Sequence, residues 1–215
     1  GQTNKASLPL RQCLNVVRHF MKIQVVIFLL LAVNSCGQTQ DKAQSQVKSM
    51  SDYSPIIEKA HPKAKAIMKD SFYFNPIDET SPFGNDDGAD TYASFKIWRL
   101  THLNDDPTDF LFDQINEWGY PKYDIYETDI KKLTPYLKES DLSSRYMSGI
   151  DAAIIAIAFG QLYLEGAVNK KFKETAIIAI KRQLIPEILA LWGDSYKLER
   201  AQKLKKMLSA LSQVN

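Results

Sequence analysis

The chain has 215 residues, of which 45% are hydrophobic and 24% are charged. These are the proportions of a folded globular protein, and they exclude an intrinsically disordered chain. Residues 1–36 carry four of the 27 basic residues and none of the 25 acidic ones, so the rest of the chain is close to neutral. A near-neutral domain gives no electrostatic reason to expect nucleic acid as a partner.

Residues 21–36 have the pattern of a bacterial lipoprotein signal peptide. A Met-Lys pair begins the segment, an apolar run follows at 23–33, and a serine stands immediately before Cys36. This order is typical of a secretory signal, and the apolar run is shorter than the roughly 20 residues that span a bilayer. The end of the segment resembles a lipobox, which implies cleavage before Cys36 and lipidation at that residue. The alternative is a buried segment of the fold.

The segments on either side of the signal are predicted to lie outside the folded domain. Residues 1–20 are interpreted as a leader or a gene-model extension. Residues 37–54 are rich in Gln, Ser and Lys, which predicts a disordered tether. The domain itself is expected to cover 55–215. Both cysteines, Cys13 and Cys36, precede it, so it has no thiol for a disulfide, a metal site or a nucleophile.

Apolar residues in the domain recur at helical spacing, and no period-two alternation persists, which predicts an all-α fold in a single compact domain. Prolines suited to first turns predict helices that begin at Pro62 and Pro107, and Gly119 is predicted to end the second of them. Asp90 is predicted to cap a helix that ends near His102.

The C-terminal half is predicted to contain three longer helices. The first covers 144–165 and is apolar on almost all sides apart from Asp151, which is typical of a central buried helix. The second covers 174–192 and is predicted to restart at Pro186, and the last one begins at a cap provided by Asp194 or Ser195.

Asp151 lies in the most apolar part of the chain, and a buried carboxylate needs a partner. Arg145 or Arg182 would supply a structural ion pair. The alternative is a carboxylate that takes part in acid–base chemistry.

The long acidic loop at 78–90 is the most distinctive segment. Packed acids with glycines suggest a loop for a hard cation, but the EF-hand template would place Phe83 and Ser94 where it needs acids. The remaining alternatives are an ordered loop that uses its carboxylates in turns and a helix cap, and a polar recognition surface. The candidate binding residues are Asp78, Glu79, Phe83, Asn85, Asp86, Asp87, Asp90, Trp98 and Arg99.

The sequence contains no recognisable enzyme motif. The chain has no G-x-S-x-G, G-x-G-x-x-G or Walker pattern. The histidines of the domain, His61 and His102, lack metal-ligand spacing. We therefore predict no catalytic residue, metal ligand or cofactor.

Several short motifs resemble the uncharacterised bacterial YfeS-like family. The similarity covers roughly 55–185, and it rests on HPKAK at 61–65, FYF at 72–74, DETSPFGNDDGAD at 78–90, WR at 98–99, WGYP at 118–121 and AIAFGQ at 156–161. The resemblance implies no activity, but it implies that the acidic loop is a feature of the family.

Together these observations predict a bacterial lipoprotein of the cell envelope, lipid-anchored through Cys36, with its domain on the periplasmic or outer side. We expect a non-enzymatic protein-binding or protective, immunity-like module whose contact surface is the loop at 78–90, and whose partners are the membrane and another envelope or secreted protein. The alternative is a carboxylate- or metal-dependent hydrolase-like enzyme with its site at Asp86, Asp87 and Asp90. A third reading is a purely structural lipoprotein.

Overall fold

The computed structural model describes residues 55–214. The predicted leader at 1–20, the signal at 21–36 with Cys36, and the tether at 37–54 lie outside the described residues.

Residues 55–214 fold into one compact unit made of helices, with no strand. The predicted all-α fold is therefore confirmed. The eight α-helices are α1 (Pro62–Ile67), α2 (Asp86–Arg99), α3 (Pro107–Trp118), α4 (Ile130–Leu137), α5 (Ser143–Glu165), α6 (Lys170–Gln183), α7 (Pro186–Leu189) and α8 (Asp194–Ser212). Short 3₁₀ turns lie at Ile57–Lys59, Ser71–Phe74 and Ala190–Trp192.

Proline and glycine set the helix boundaries where they were predicted to do so. Pro62 and Pro107 stand in the first turns of α1 and α3. The side chain of Asp106 caps α3 by accepting a hydrogen bond from the N–H of Thr108 at 2.9 Å. Gly119 follows the end of α3 with φ 65°, a left-handed conformation that glycine adopts without steric cost.

Helix α2 begins directly after Asn85, and the prediction that Asp90 caps it is wrong. The Asn85 side-chain oxygen accepts a hydrogen bond from the N–H of Gly88 at 2.8 Å. Asparagine is as effective a cap as aspartate, and Asn85 precedes Asp90 in the sequence by five residues. The helix also ends at Arg99, before the predicted end near His102.

The predicted helix at 174–192 is divided into α6, α7 and a 3₁₀ turn. Pro186 begins α7, as predicted, because a proline has no N–H to continue the hydrogen-bond ladder of α6. Gly193, with φ 76°, precedes α8. The predicted caps Asp194 and Ser195 therefore lie inside the last helix.

Helix α5 is the central helix of the fold, as predicted. Among residues 55–214 it is the one helix long and apolar enough to cross a membrane, and 83% of its most apolar window is buried inside the protein. It packs most extensively against α2 and α6. Its burial is that of a core helix.

Two glycines of α5 let side chains of α2 approach closely. A Cβ atom at Gly160 would lie 2.9 Å from the ring of Tyr92, and a Cβ atom at Gly149 would lie 2.9 Å from the carboxylate of Asp87. Both distances are shorter than ordinary contacts. The glycines therefore fix how closely α2 and α5 pack, and this packing positions the start of α2 beside Arg145.

Candidate functional site

The carboxylate of Asp151 lies at the centre of a buried polar network. It accepts hydrogen bonds from the Nε and Nη2 atoms of Arg182, from Nε2 of Gln183 at 2.6 Å and from the hydroxyl of Tyr123 at 3.0 Å. Asp151 and Arg182 are both 0% exposed. Of the two partners predicted for Asp151, the structure selects Arg182, and the pair is fully hydrogen-bonded.

Arg182 also holds the segment that precedes α4. Its Nη1 atom donates to the carbonyl oxygens of Ile125 at 2.9 Å and Glu127 at 2.8 Å. Burial would lower the pKa of Arg182, but the attraction of Asp151 and Tyr123 and the hydrogen bonds to them together outweigh burial and raise it. Burial, together with the charge of Asp151, raises the pKa of Tyr123 well above its ordinary value. The buried charges of Asp151 and Arg182 therefore balance each other.

The network continues from Gln183 to a second buried arginine, Arg200. The Nη2 atom of Arg200 donates to Oε1 of Gln183 at 3.0 Å, and Nη1 donates to the hydroxyl of Thr80 at 3.2 Å. Its Nε atom is buried and has no acceptor. The guanidinium lies over the ring of Trp192, 3.6 Å from the ring centroid. Burial lowers the pKa of Arg200 to about 10, so the side chain stays charged at neutral pH.

A polar cavity of about 350 Å³ opens beside Arg200. It is formed by the loop before α2, the first turn of α2, the N-terminal half of α5, the 3₁₀ turn before α8 and the start of α8. Its lining residues are Glu79, Asn85, Asp86, Asp87, Arg145, Ser148, Ala152, Trp192 and Arg200.

Arg145 closes one side of the cavity through an ion pair with Asp87. The Nη1 atom of Arg145 donates to Oδ2 of Asp87, and the hydroxyl of Tyr120 donates to the other oxygen at 3.0 Å. The side chain of Arg145 is 51% exposed, whereas that of Asp87 is only 11% exposed. Burial raises the pKa of Tyr120, and the nearby charge of Asp87 adds to the increase.

Four of the predicted binding residues come together in this cavity: Glu79, Asn85, Asp86 and Asp87. Asp90 is exposed and lines a separate, more apolar groove of about 300 Å³ that also includes Phe74 and Phe83. The carboxylates predicted for the hydrolase-like alternative are therefore divided between two concave surfaces.

Asp78 and Phe83 make internal contacts. Asp78 is paired with Lys203 on α8 and accepts a hydrogen bond from the N–H of Thr80 at 3.0 Å. Phe83 is 3% exposed, and its ring centroid lies 4.7 Å from that of Tyr92. Both side chains attach the acidic loop to the body of the domain.

Arg99 and Trp98 lie at the C-terminal end of α2, away from the residues that line the cavity. Arg99 is 6% exposed and forms a two-point ion pair with Glu165, with N–O distances of 2.6 and 3.1 Å. Trp98 stacks on the ring of His102 with 4.6 Å between the ring centroids. These contacts hold the C-terminal end of α2 against Glu165 of α5 and against His102.

Arg200, Trp192 and Ser148 line the cavity but were not predicted as site residues. One signal for Arg200 is present in the sequence. It stands on the same face of the last helix as Leu204 and Leu211, four and eleven residues further on, and an apolar stripe that begins with an arginine indicates a buried guanidinium. No comparable signal singles out Trp192 or Ser148.

Metal-ligating side chains do not converge in the part of the chain that the structure describes. Between residues 55 and 214, no group of three or more His, Cys, Asp or Glu side chains is arranged to hold a metal ion.

Comparison with known proteins finds a similar sequence in the family that the sequence motifs resemble. The chain is 29% identical over 166 residues to the uncharacterised protein YfeS of Escherichia coli (strain K12), a match that covers 74% of this chain and 64% of that protein. The chain thus spans less than two thirds of the length of that relative. No family model and no solved structure matches this chain. The match to YfeS confirms the resemblance to the uncharacterised YfeS-like family that the sequence motifs predicted.

Proposed function

We propose that the protein is a non-enzymatic binding module held at the bacterial cell envelope, and that it binds a partner protein through an acidic patch made of Glu79, Asp86 and Asp90. Glu79 and Asp86 line the polar cavity. Asp86 and Asp90 are one helical turn apart on α2. The patch therefore covers the rim of the cavity and the first turns of this helix, with Asp90 facing the neighbouring groove.

The observation that carries the proposal is that these three acids are exposed and form no close ion pair, although Arg200 and Arg145 attract Glu79 and Asp86 at longer range. No Lys, Arg or His side chain in residues 55–214 forms an ion pair with any of them, whereas Asp78 in the preceding loop and Asp87 on α2 are both paired. Like charges one helical turn apart repel by about 0.2–0.5 kcal/mol. A partner with a basic surface would relieve this repulsion and would be attracted electrostatically.

The test compares two variants with the same change in net charge. E79Q/D86N/D90N neutralises the acidic patch, and D109N/D113N/E117Q neutralises three exposed acids on α3. Each full-length protein is used to capture cross-linked partners from a bacterial envelope extract, and the captured proteins are quantified by mass spectrometry. We expect the patch variant to lose a partner that wild type and the α3 variant retain. Identical capture by all three proteins would contradict the proposal.

The envelope location rests on the signal-like sequence at 21–36 and on the lipobox-like residues before Cys36. Metabolic labelling with palmitate tests it directly. We expect label in the wild-type protein and none in Cys36→Ala, and an unlabelled wild-type protein would refute the anchor.

One observation favours the hydrolase-like alternative, namely that Asp86, Asp87 and Ser148 line the same cavity. However, both oxygens of Asp87 already accept hydrogen bonds from other side chains. Thermal unfolding with Ca²⁺, Mg²⁺ and Zn²⁺ separates the two functions. A rise in melting temperature that is lost in Asp86→Asn would favour a metal-dependent enzyme over the binding module.

A further inference from the structure

We infer that the polar cavity binds a small zwitterion of the amino-acid or dipeptide class, with its carboxylate on Arg200 and its ammonium group beside Glu79 and Asp86. This goes beyond the binding of a partner protein, because the ligand is a small molecule that enters the cavity. The cavity volume of about 350 Å³ lies within the range of small-molecule sites, roughly 300–1,000 Å³.

Arg200 is a buried cation that no carboxylate contacts directly, although Asp151 and Glu79 attract it at longer range. It is 6% exposed, and residues 55–214 place no acidic side chain within ion-pair distance of it. Buried charges are normally paired, since removing a charge from water is costly. Arg182, in the same network, follows this rule through Asp151. Arg200 is therefore the position in the network where the carboxylate of a bound ligand would complete an ion pair.

The hydrogen bonds of Arg200 also leave room for a ligand. A guanidinium carries five N–H donors, and each terminal nitrogen of Arg200 uses one, on Thr80 and on Gln183. The Nε–H has no acceptor. That atom is enclosed by protein, so a carboxylate in the cavity would accept from the remaining N–H of each terminal nitrogen, which is a two-point geometry that arginine favours. Trp192 covers one face of the guanidinium and holds its plane in place.

The charge of the cavity selects a zwitterion over a simple anion. Arg145 is already neutralised by Asp87, which leaves Arg200 together with the unpaired acids Glu79 and Asp86. A doubly charged phosphate would be attracted by one guanidinium and repelled by two carboxylates. A zwitterion instead brings a negative group for Arg200 and one positive group that the two acids share.

Isothermal titration calorimetry on the full chain tests the ligand class with four probes: glycylglycine, acetate, ethylammonium and inorganic phosphate. We expect glycylglycine to bind at least about tenfold more tightly than each of the others. Arg200→Met should weaken glycylglycine binding by about tenfold or more. Lys205→Met removes an exposed positive charge from the same helix and should leave binding unchanged.

Arg200→Lys provides a second variant in case the loss of charge prevents folding. It keeps the positive charge but lacks the two-point donor geometry, so it should also weaken glycylglycine binding. A crystal structure of the wild-type protein with glycylglycine gives an independent readout. A carboxylate on the terminal nitrogens of Arg200 supports the inference, whereas water molecules alone on those nitrogens overturn it.

Three calorimetric results would also overturn the inference: no glycylglycine binding at millimolar concentration, wild-type affinity in both Arg200 variants, or tighter binding of phosphate. The double variant E79Q/D86N separates this inference from the proposed function. Loss of partner capture with unchanged glycylglycine binding would support the protein-binding patch and refute the zwitterion site. The opposite pattern would support the zwitterion site alone.

Discussion

Replacing Asp151 with alanine would leave the guanidinium of Arg182 buried without its counter-charge. Both side chains are 0% exposed, so water cannot replace the lost carboxylate without opening the core. Gln183 and Tyr123 would lose the same acceptor. The variant therefore tests whether this network stabilises the fold.

Breaking a buried ion pair by removing one partner typically costs 3–5 kcal/mol, and we expect a loss of about 4 kcal/mol for Asp151→Ala. That is a large share of the 5–15 kcal/mol by which domains are typically stable. With a slope of about 2 kcal/mol per molar urea, the midpoint of unfolding would fall by about 2 M. The double variant D151A/R182M removes both charges, so we expect it to lose less stability than the two single losses added together.

Urea unfolding followed by circular dichroism measures these differences. Asp90→Ala removes an exposed, unpaired acid and is the matched control, for which we expect a change within about 0.5 kcal/mol. Two results would refute the reasoning: an Asp151→Ala protein as stable as the control, or a double variant whose loss equals the sum of the single losses.

Two further outcomes are expected from contacts at the cavity and beside α8. Gly149→Ala should lower the melting temperature, although Gly→Ala inside a helix ordinarily gains about 0.5–1 kcal/mol, because the new Cβ would lie 2.9 Å from Arg145 and from Asp87. A higher melting temperature would contradict this. Burial would raise the pKa of Asp78, but hydrogen bonds from Lys203 and the backbone outweigh it and lower the pKa below 3.8. The stability that Asp78 contributes is therefore present above about pH 4 and is lost as the pH falls further, and urea unfolding against pH should show a weaker acid dependence in Asp78→Asn.

Helix boundaries show what local sequence can and cannot predict. Pro107 and Gly119 set the ends of α3, because a missing N–H and a left-handed φ are properties of single residues. The start of α2 was placed too late, since Asn85 and Asp90 are equally good caps by residue type. Only the folded structure, in which the first turn of α2 packs beside Gly149 of α5, shows that Asn85 is the N-cap.

Helix geometry already favours Arg182 over Arg145 as the partner of Asp151. Arg145 is six residues away on the same helix, and residues on one helix face each other when they are three or four apart. It could therefore not reach Asp151, and it instead pairs with Asp87 on α2. The partner of Asp151 had to come from another helix, and Arg182 on α6 supplies it.

The amino-acid sequence by itself determined the helical class, the central apolar helix and the need of Asp151 for a partner, because each depends on spacing or on the chemistry of one residue. The polar cavity depends on contacts between distant parts of the chain: Arg200 and Thr80 are 120 residues apart. Such contacts exist only after α5 has packed against α2 and α6, when burial removes water and makes each unpaired charge costly. The tertiary structure therefore decided that the predicted loop at 78–90 becomes helical from Asp86 onward, and that Asp78 and Asp87 are paired internally while Glu79, Asp86 and Asp90 are left exposed.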